Sequence, residues 1–385
     1  MDQIKFASKE PYLYPEIWRL VQLDVIKKII SLENRIRDKK SEKNDLNILR
    51  KNPSQKLTKE ESIKIKAKIK SLENKLEEIR FLIEVYRSIG DAVAFTFINK
   101  LDIKPQNFKK SAGFISEKIG LKKEIEVFKK NYSEGRIAIF NDITSVLKYC
   151  DLTVVYPGGF NLIEVKSSKF ENSRIHRQKE NADKIVKYFE TDKTDNLYGI
   201  EGETIRVDVN SVEVNYVKEL NKLIQSSKET KNAIFEVEKG IYYFVSREFE
   251  EGFMERNFKQ LKNPIMVSLN QFKFSGQGYY PFSLSFLDSN DYLDFLDGNF
   301  VILIIIDFEE VKNYCSFKNY DFIHSDNDRY IFTIKPQNKE NSEGMLKISD
   351  HYFFRSCTEF VSLKWLIDDS ISQFEKMKNN NLANL

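Results

Sequence analysis

The stretch from Ile139 to Lys169, IFNDITSVLKYCDLTVVYPGGFNLIEVKSSK, constrains the fold more than any other part of the chain. It reads as a strand, a short linking segment and a tight β-hairpin, Cys150 to Tyr156 and Phe160 to Ser167, turning at Gly158-Gly159. Glycine carries no Cβ, so two of them tolerate the positive φ angles of a two-residue turn. The register this turn implies sets Tyr156 against Asn161, Thr153 against Glu164 and Asp151 against Lys166. Directly opposed residues of antiparallel strands share a face, which places Asp151, Glu164 and Lys166 together on one side. Leu152, Val154, Ile163 and Val165 form the other side, apolar and expected to face the core.

Two carboxylates a few ångströms apart repel each other, and a divalent cation such as Mg²⁺ relieves this by taking oxygen ligands from both. Asp151 and Glu164 are the candidate metal ligands, joined by the backbone carbonyl of Val165. A metal held this way lowers the pKa of a bound water and neutralises charge on a phosphodiester. Lys166 would reach the attacking water or a phosphate oxygen. Glu-x-Lys by itself is uninformative here, since it also occurs at Glu73-Asn74-Lys75 and Glu229-Thr230-Lys231 in polar, helix-like surroundings. Glu164 differs in sitting within an apolar strand, with an acid on a second apolar strand before it. A surface hairpin braced by a salt bridge would carry the same charges, but would not also place Val155 and Leu162 on the acid-bearing face.

Asp151, twelve intervening residues and Glu164-Val165-Lys166 resemble the D-x(n)-(D/E)-x-K signature of the PD-(D/E)xK nuclease superfamily, with Cys150 where that name has proline. The resemblance implies an α/β (α+β) fold, a restriction-endonuclease-like mixed sheet flanked by helices. It also implies Mg²⁺- or Mn²⁺-dependent hydrolysis of phosphodiester bonds, with double-stranded DNA as the default target. Many members carry a further acid on a helix before the first strand, often shortly after a glycine. Gly120-Leu-Lys-Lys-Glu124, opening a helix expected over Leu121 to Asn131, is similar, so that role falls to Glu124, with Glu117 as competitor. The superfamily core continues from its lysine strand into a helix that often places glutamine or arginine against phosphate or the lysine. Arg177 and Gln178 stand there, on an amphipathic helix with Ala182, Ile185, Val186 and Phe189 inward.

The charge distribution is compatible with a polyanionic partner only locally. The 385 residues carry a formal charge of +3, but between Lys100 and Arg136 ten Lys or Arg stand against five Asp or Glu. This segment, with Lys122 and Lys123, together with Lys169 after the hairpin, is where a phosphate backbone would be held. Asp91, an acid among apolar neighbours, is a further candidate, although pairing with Arg87 one helical turn back explains it more simply. Asp142 reads as a strand-end residue close enough to support the site. His176 has no second histidine near it, and Cys150, Cys315 and Cys357 are too widely spaced for a zinc site or disulfide framework.

Around this core, residues 16 to 50 and 59 to 99 show helical periodicity with dense charge. Ile26, Ile29, Ile30, Leu32 and Ile36 are expected to answer Ile63, Ile65, Ile69, Leu72, Leu76 and Ile79 across an antiparallel helical hairpin. Thr58-Lys-Glu-Glu61 is a capping box opening the second helix. Beyond about Asn196 the texture becomes aromatic and mixed α+β, and Phe300 to Ile306, too short to span a bilayer, reads as a buried strand. The loop Gln271 to Tyr280 could stack bases or meet a partner. The first residues lack a signal-peptide pattern, and a cytoplasmic location is expected.

The sequence therefore predicts three parts: an N-terminal segment and helical hairpin at 1–77, a nuclease core at 78–195, and a C-terminal α+β domain for targeting, regulation or assembly at 196–385. The expected function is a DNA endonuclease of the genome-defence or restriction type, with homo-oligomerisation through the helical hairpin or C-terminal domain and no membrane partner. Two alternatives stay open, an RNA-cleaving nuclease on the same fold and a non-catalytic nucleic-acid-binding or scaffold protein.

Overall fold

The computed structural model describes residues 2–52, 57–103, 113–165, 173–197, 202–206, 211–271, 282–327, 330–337 and 344–383. It is a mixed α+β protein of two compact units, Met1–Arg206 and Val207–Leu385. Among the described residues no helix is long and apolar enough to cross a membrane.

In the first unit a short helix α1 (Asp2–Ala7) precedes two long ones, α2 (Pro15–Lys51) and α3 (Lys59–Phe97), which form the expected antiparallel hairpin. The capping box is present: Thr58 Oγ1 accepts from Glu61 N, and Glu61 Oε2 accepts from Thr58 N. The seam buries Ile26, Ile29, Leu32 and Ile36 against Ile69, Leu72, Leu76 and Ile79, whereas Ile63 is exposed. The outer part of the hairpin is braced by Lys43–Glu73 and Lys68–Glu42 pairs. It does not stand apart as its own domain. Trp18, Gln22 and Val25 on α2 and Ala92, Val93 and Ala94 on α3 are fully or almost fully buried in the same unit as the sheet.

After α4 (Lys100–Ile103), α5 (Leu121–Ser133) leads into a three-stranded antiparallel sheet of β1 (Ile137–Phe140), β2 (Leu152–Tyr156) and β3 (Gly159–Ile163), in that order. All four residues of β1 are buried, as a strand covered on both faces requires. Its free edge is closed by α2, where Gln22 Nε2 donates to Ala138 O and Oε1 accepts from Phe140 N, satisfying the backbone as a further strand would.

The hairpin register differs from the expected one by two residues. Tyr156 faces Gly159, Thr153 faces Leu162 and Leu152 faces Ile163. The turn is Pro157-Gly158, with φ +88° at Gly158, while Gly159 already belongs to the strand beneath the Tyr156 ring. Proline at the first central position and a positive-φ glycine at the second is a type II preference. A slip of two keeps every side chain on its expected face.

Helix α6 (Ser173–Thr191) follows and packs Ile185, Tyr188 and Phe189 around Leu162. Then β4 (Lys193–Asp195) pairs with β5 (Glu203–Ile205). The unit runs to Arg206, whose guanidinium donates to the Asp102 carboxylate through Nε and Nη2, at 3.0 and 2.8 Å. Every strand pairing in this unit among the described residues is antiparallel, so the mixed sheet is not seen there.

The second unit opens with α7 (Val217–Thr230) and a four-stranded antiparallel sheet ordered β6-β7-β9-β8, from β6 (Asn232–Glu238), β7 (Ile241–Ser246), β8 (Pro264–Ser268) and β9 (Val301–Asp307). The β6–β7 turn falls at Lys239-Gly240, and β9 is the buried apolar run that the sequence predicts. A second sheet, β10 (Tyr320–Asn327), β11 (Tyr330–Pro336) and β12 (Leu346–Ser349), precedes two closing helices at Asp350–Thr358 and Leu363–Ala383. Most of the aromatic loop after Gln271 lies outside the described residues.

Candidate functional site

Three acids from three elements meet at the base of the β2–β3 hairpin. Glu124 lies in the first turn of α5, Asp142 in a 3-10 turn (Asn141–Ile143) that ends β1, and Asp151 immediately before β2. At their centre is a cation, the Lys118 ammonium, with Nζ 2.5 Å from Asp142 Oδ2, 3.2 Å from Asp151 Oδ1 and 3.6 Å from Glu124 Oε1. Glu124 is 4% exposed and Asp151 9%, so this is a buried cluster with Lys118 entering from its more open side.

Each member is held by identifiable neighbours. The other Asp151 oxygen, Oδ2, accepts from Val165 N at 2.8 Å, and Asp151 N donates to Ile163 O. The strand ladder thus ends with a side chain standing in for backbone. Cys150 has φ +60°, which a proline ring cannot adopt, and this left-handed residue turns the chain into Asp151. Asn141 bonds Tyr149 O through Nδ2 and accepts from Thr153 Oγ1, stapling the 142–150 loop to β2. Lys118 follows a 3-10 turn (Ile115–Glu117) whose Ile115 and Ser116 N–H groups are both taken by the buried Glu33 carboxylate of α2, at 3.0 and 2.8 Å.

Asp91 is 3% exposed and does not pair with Arg87, which instead meets Glu84. Its carboxylate accepts from Ser145 N at 2.7 Å and from Ser145 Oγ, tying α3 to the loop that carries Asp142. Gly90 permits this approach, since a Cβ there would stand 2.1 Å from Ile143 O. Asp91 therefore positions Asp142 and is not itself in the cluster.

The electrostatics reflect three acids around one base. Burial pushes the Glu124 carboxyl up to about 7, the charge on Asp151 adding to the rise and Lys118 opposing it. Asp142 is raised by burial against the pull of Lys118. Burial by itself would lower Lys118, but Asp142 first, then Asp151 and Glu124, more than reverse this and raise it.

Of the residues singled out in the sequence, Asp151 and Glu124 are brought together. Glu117 is exposed on its turn, so Glu124 takes the helix position. Glu164 is exposed just past the end of β3, and Val165 contributes its N–H to Asp151. Lys122 and Lys123 are exposed on the same first turn as Glu124. Lys166 and Lys169 lie outside the described residues, as do the side chains of Arg177 and Gln178 on α6. Sequence reasoning missed Lys118, Glu33 and Gln22. Both α2 residues carried a signal, for each interrupts an apolar helical stripe, Trp18-Gln22-Ile26 and Ile29-Glu33-Ile36.

Hard carboxylate oxygens suit Mg²⁺ or Mn²⁺. Glu124 Oε2 is buried and accepts no hydrogen bond, so the cluster has unused donor capacity. Among the described residues no three Asp, Glu, His or Cys side chains are disposed to hold one metal ion. Comparison with known proteins finds no matching family model, curated protein or solved structure.

Proposed function

We propose that the protein is a metal-dependent phosphodiesterase, an endonuclease acting on DNA. The observation that carries this reading is the convergence of Glu124, Asp142 and Asp151 on a single cation at the base of the hairpin, with a buried carboxylate oxygen left unpartnered. The helix–three strands–helix order from α5 to α6 also agrees with what the superfamily resemblance implies for the elements around its acids.

In this reading Asp151 and Glu124 hold Mg²⁺ or Mn²⁺, with Glu164 at the strand end beside them. When bound, such an ion lowers the pKa of a water and neutralises charge developing on the phosphate. Lys166 positions the attacking water or a phosphate oxygen. Exposed Lys122 and Lys123, next to the site on α5, bind the nucleic-acid backbone, and Lys169, Arg177 and Gln178 extend that contact after the hairpin. Val165 N–H and Lys118 orient the Asp151 carboxylate.

The test is supercoiled plasmid and single-stranded RNA, each incubated with full-length protein and Mg²⁺. Nicking of the plasmid that is abolished in Asp151→Asn and Lys166→Ala is the expected result. Equal cleavage by the variants contradicts the assignment, and cleavage of RNA alone replaces the substrate. A second reading, a non-catalytic binding protein, draws on the fact that Lys118 already partners all three acids. Metal-independent DNA binding without cleavage under any of these conditions would favour it.

A further inference from the structure

At the turn of the β2–β3 hairpin, the end away from the three acids, lies a cavity of about 380 Å³ that the end of α3, α4, α6 and Arg206 complete. Its size suits a small ligand. Rings form much of its wall. Phe160 on β3 meets Phe189 on α6 edge to face, with centroids 4.8 Å apart, and Tyr156 lies across Gly159, where a Cβ would stand 2.8 Å from the ring. Arg206 adds a different surface. Asp102 takes its Nε and Nη2 at 3.0 and 2.8 Å, Asp192 takes Nη1 at 3.1 Å, and the guanidinium carbon sits 5.4 Å from the centre of the Phe189 ring. Two carboxylates offset its charge, so it offers a ligand a flat face more than a free cation.

Two polar side chains on the lining are unused: among the described residues, the Asn161 carboxamide and the Glu190 carboxylate enter no hydrogen bond or ion pair. A phosphate would meet the lining carboxylates Asp102 and Glu190 against one guanidinium already engaged, so charge disfavours an anion and favours a flat, neutral ring with N–H donors. Nucleobases have that form, and they stack on aromatic rings and guanidinium planes alike. Guanine alone of the four carries two adjacent donor sites, N1–H and N2–H, to match both oxygens of a carboxylate, and the O6 beside them suits a carboxamide N–H. We propose that this cavity takes a single unstacked guanine base, stacked among the rings and the Arg206 face, with Glu190 accepting from its N1–H and N2–H. This rests on the nuclease reading for the source of the base, a strand passing along the hairpin. From Asp151 to Tyr156 is roughly 16 Å by strand rise, a few nucleotides of chain.

Calorimetry on the full chain without metal, so that no strand is cut, tests the site with guanosine 5′-monophosphate and with a short oligothymidine strand holding one central guanine, each against its adenine counterpart. Guanine should be preferred about tenfold, and Glu190→Gln, at an exposed position without intramolecular partners, should remove most of that preference. In wild type, guanosine monophosphate should displace the guanine strand and adenosine monophosphate should not. A guanine preference confined to the free nucleotide supports the cavity and makes the nucleotide its ligand. Equal affinity for the two bases, a guanine preference that survives Glu190→Gln, or no binding of any probe overturns the proposal. Plasmid cleavage is scored separately: guanine preference without cleavage by wild type keeps the cavity and removes the nuclease reading, and cleavage without guanine preference does the reverse.

Discussion

In the second unit Arg355, 4% exposed, spans Glu359 and Glu213, donating through Nε and Nη2 to Glu359 at 3.0 to 3.1 Å and through Nη2 to Glu213 at 3.1 Å. In the first unit Lys118 faces Glu124, Asp142 and Asp151 at 2.5 to 3.6 Å. One cluster sets a planar fork of donors against two acids, and both oxygens of Glu359 are used. The other sets a point charge against three acids, and an oxygen of Glu124 is left over. A guanidinium fixes geometry and locks its partners, while an ammonium exchanges more readily with another cation. Both clusters set one cation against more than one acid, so what separates them is the cation: a rigid, almost fully buried fork in one and a flexible, partly exposed ammonium in the other.

The largest effect expected follows from breaking each cluster at its cation. Arg355→Met strands Glu359 in the interior and should cost about 3–5 kcal/mol by denaturant unfolding, with no recovery on adding Mn²⁺. Lys118→Met should cost about 2–3 kcal/mol at pH 8, less because the cluster is more open, and Mn²⁺ should restore most of it. Recovery in both variants, or in neither, would erase the distinction.

The next effect concerns pH. The Asp91 carboxyl stands at about 7 in the folded protein against 3.8 as the ordinary value, so folding takes up a proton between them. Its contribution is present in full below pH 3.8 and is lost as the pH climbs through about 7. Stability should therefore fall by on the order of 4 kcal/mol across that window, and Asp91→Asn, which still bonds Ser145 but cannot titrate, should flatten the profile. Glu124→Gln should remove a further share of the same slope. Gly90→Ala drives a methyl into a backbone carbonyl and should cost about 2 kcal/mol. Smallest, Thr58→Ala removes a cap remote from both clusters and should cost about 1 kcal/mol with no change in Mn²⁺ affinity.

Much of the first unit was legible because local rules and tertiary structure agree there. Alternation placed β2 and β3, and the capping box placed the start of α3. The register was missed because Gly158-Gly159 reads as a turn pair unless Pro157 is weighed as its first central residue. The absorption of the helical hairpin was also missed, since dense charge along α2 masks how deeply its first half is buried, though Gln22 and Glu33 on the apolar stripe record it. Asp142 was noticed as a polar strand-end residue, but no sequence pattern links it to Lys118. That contact joins segments more than twenty residues apart and exists only once α2 holds one turn and Asp91 the other. In the second unit β9 follows from its apolar run, while the pairing of Arg355 with Glu213, 142 residues away, does not.

The most direct test of the central claim is a crystal of the full chain soaked in Mn²⁺, with data collected at the manganese absorption edge. The account predicts one strong anomalous peak bonded to oxygens of Asp151 and Glu124. An empty cluster with Lys118 still seated, at Mn²⁺ concentrations that saturate the protein in solution, would contradict it.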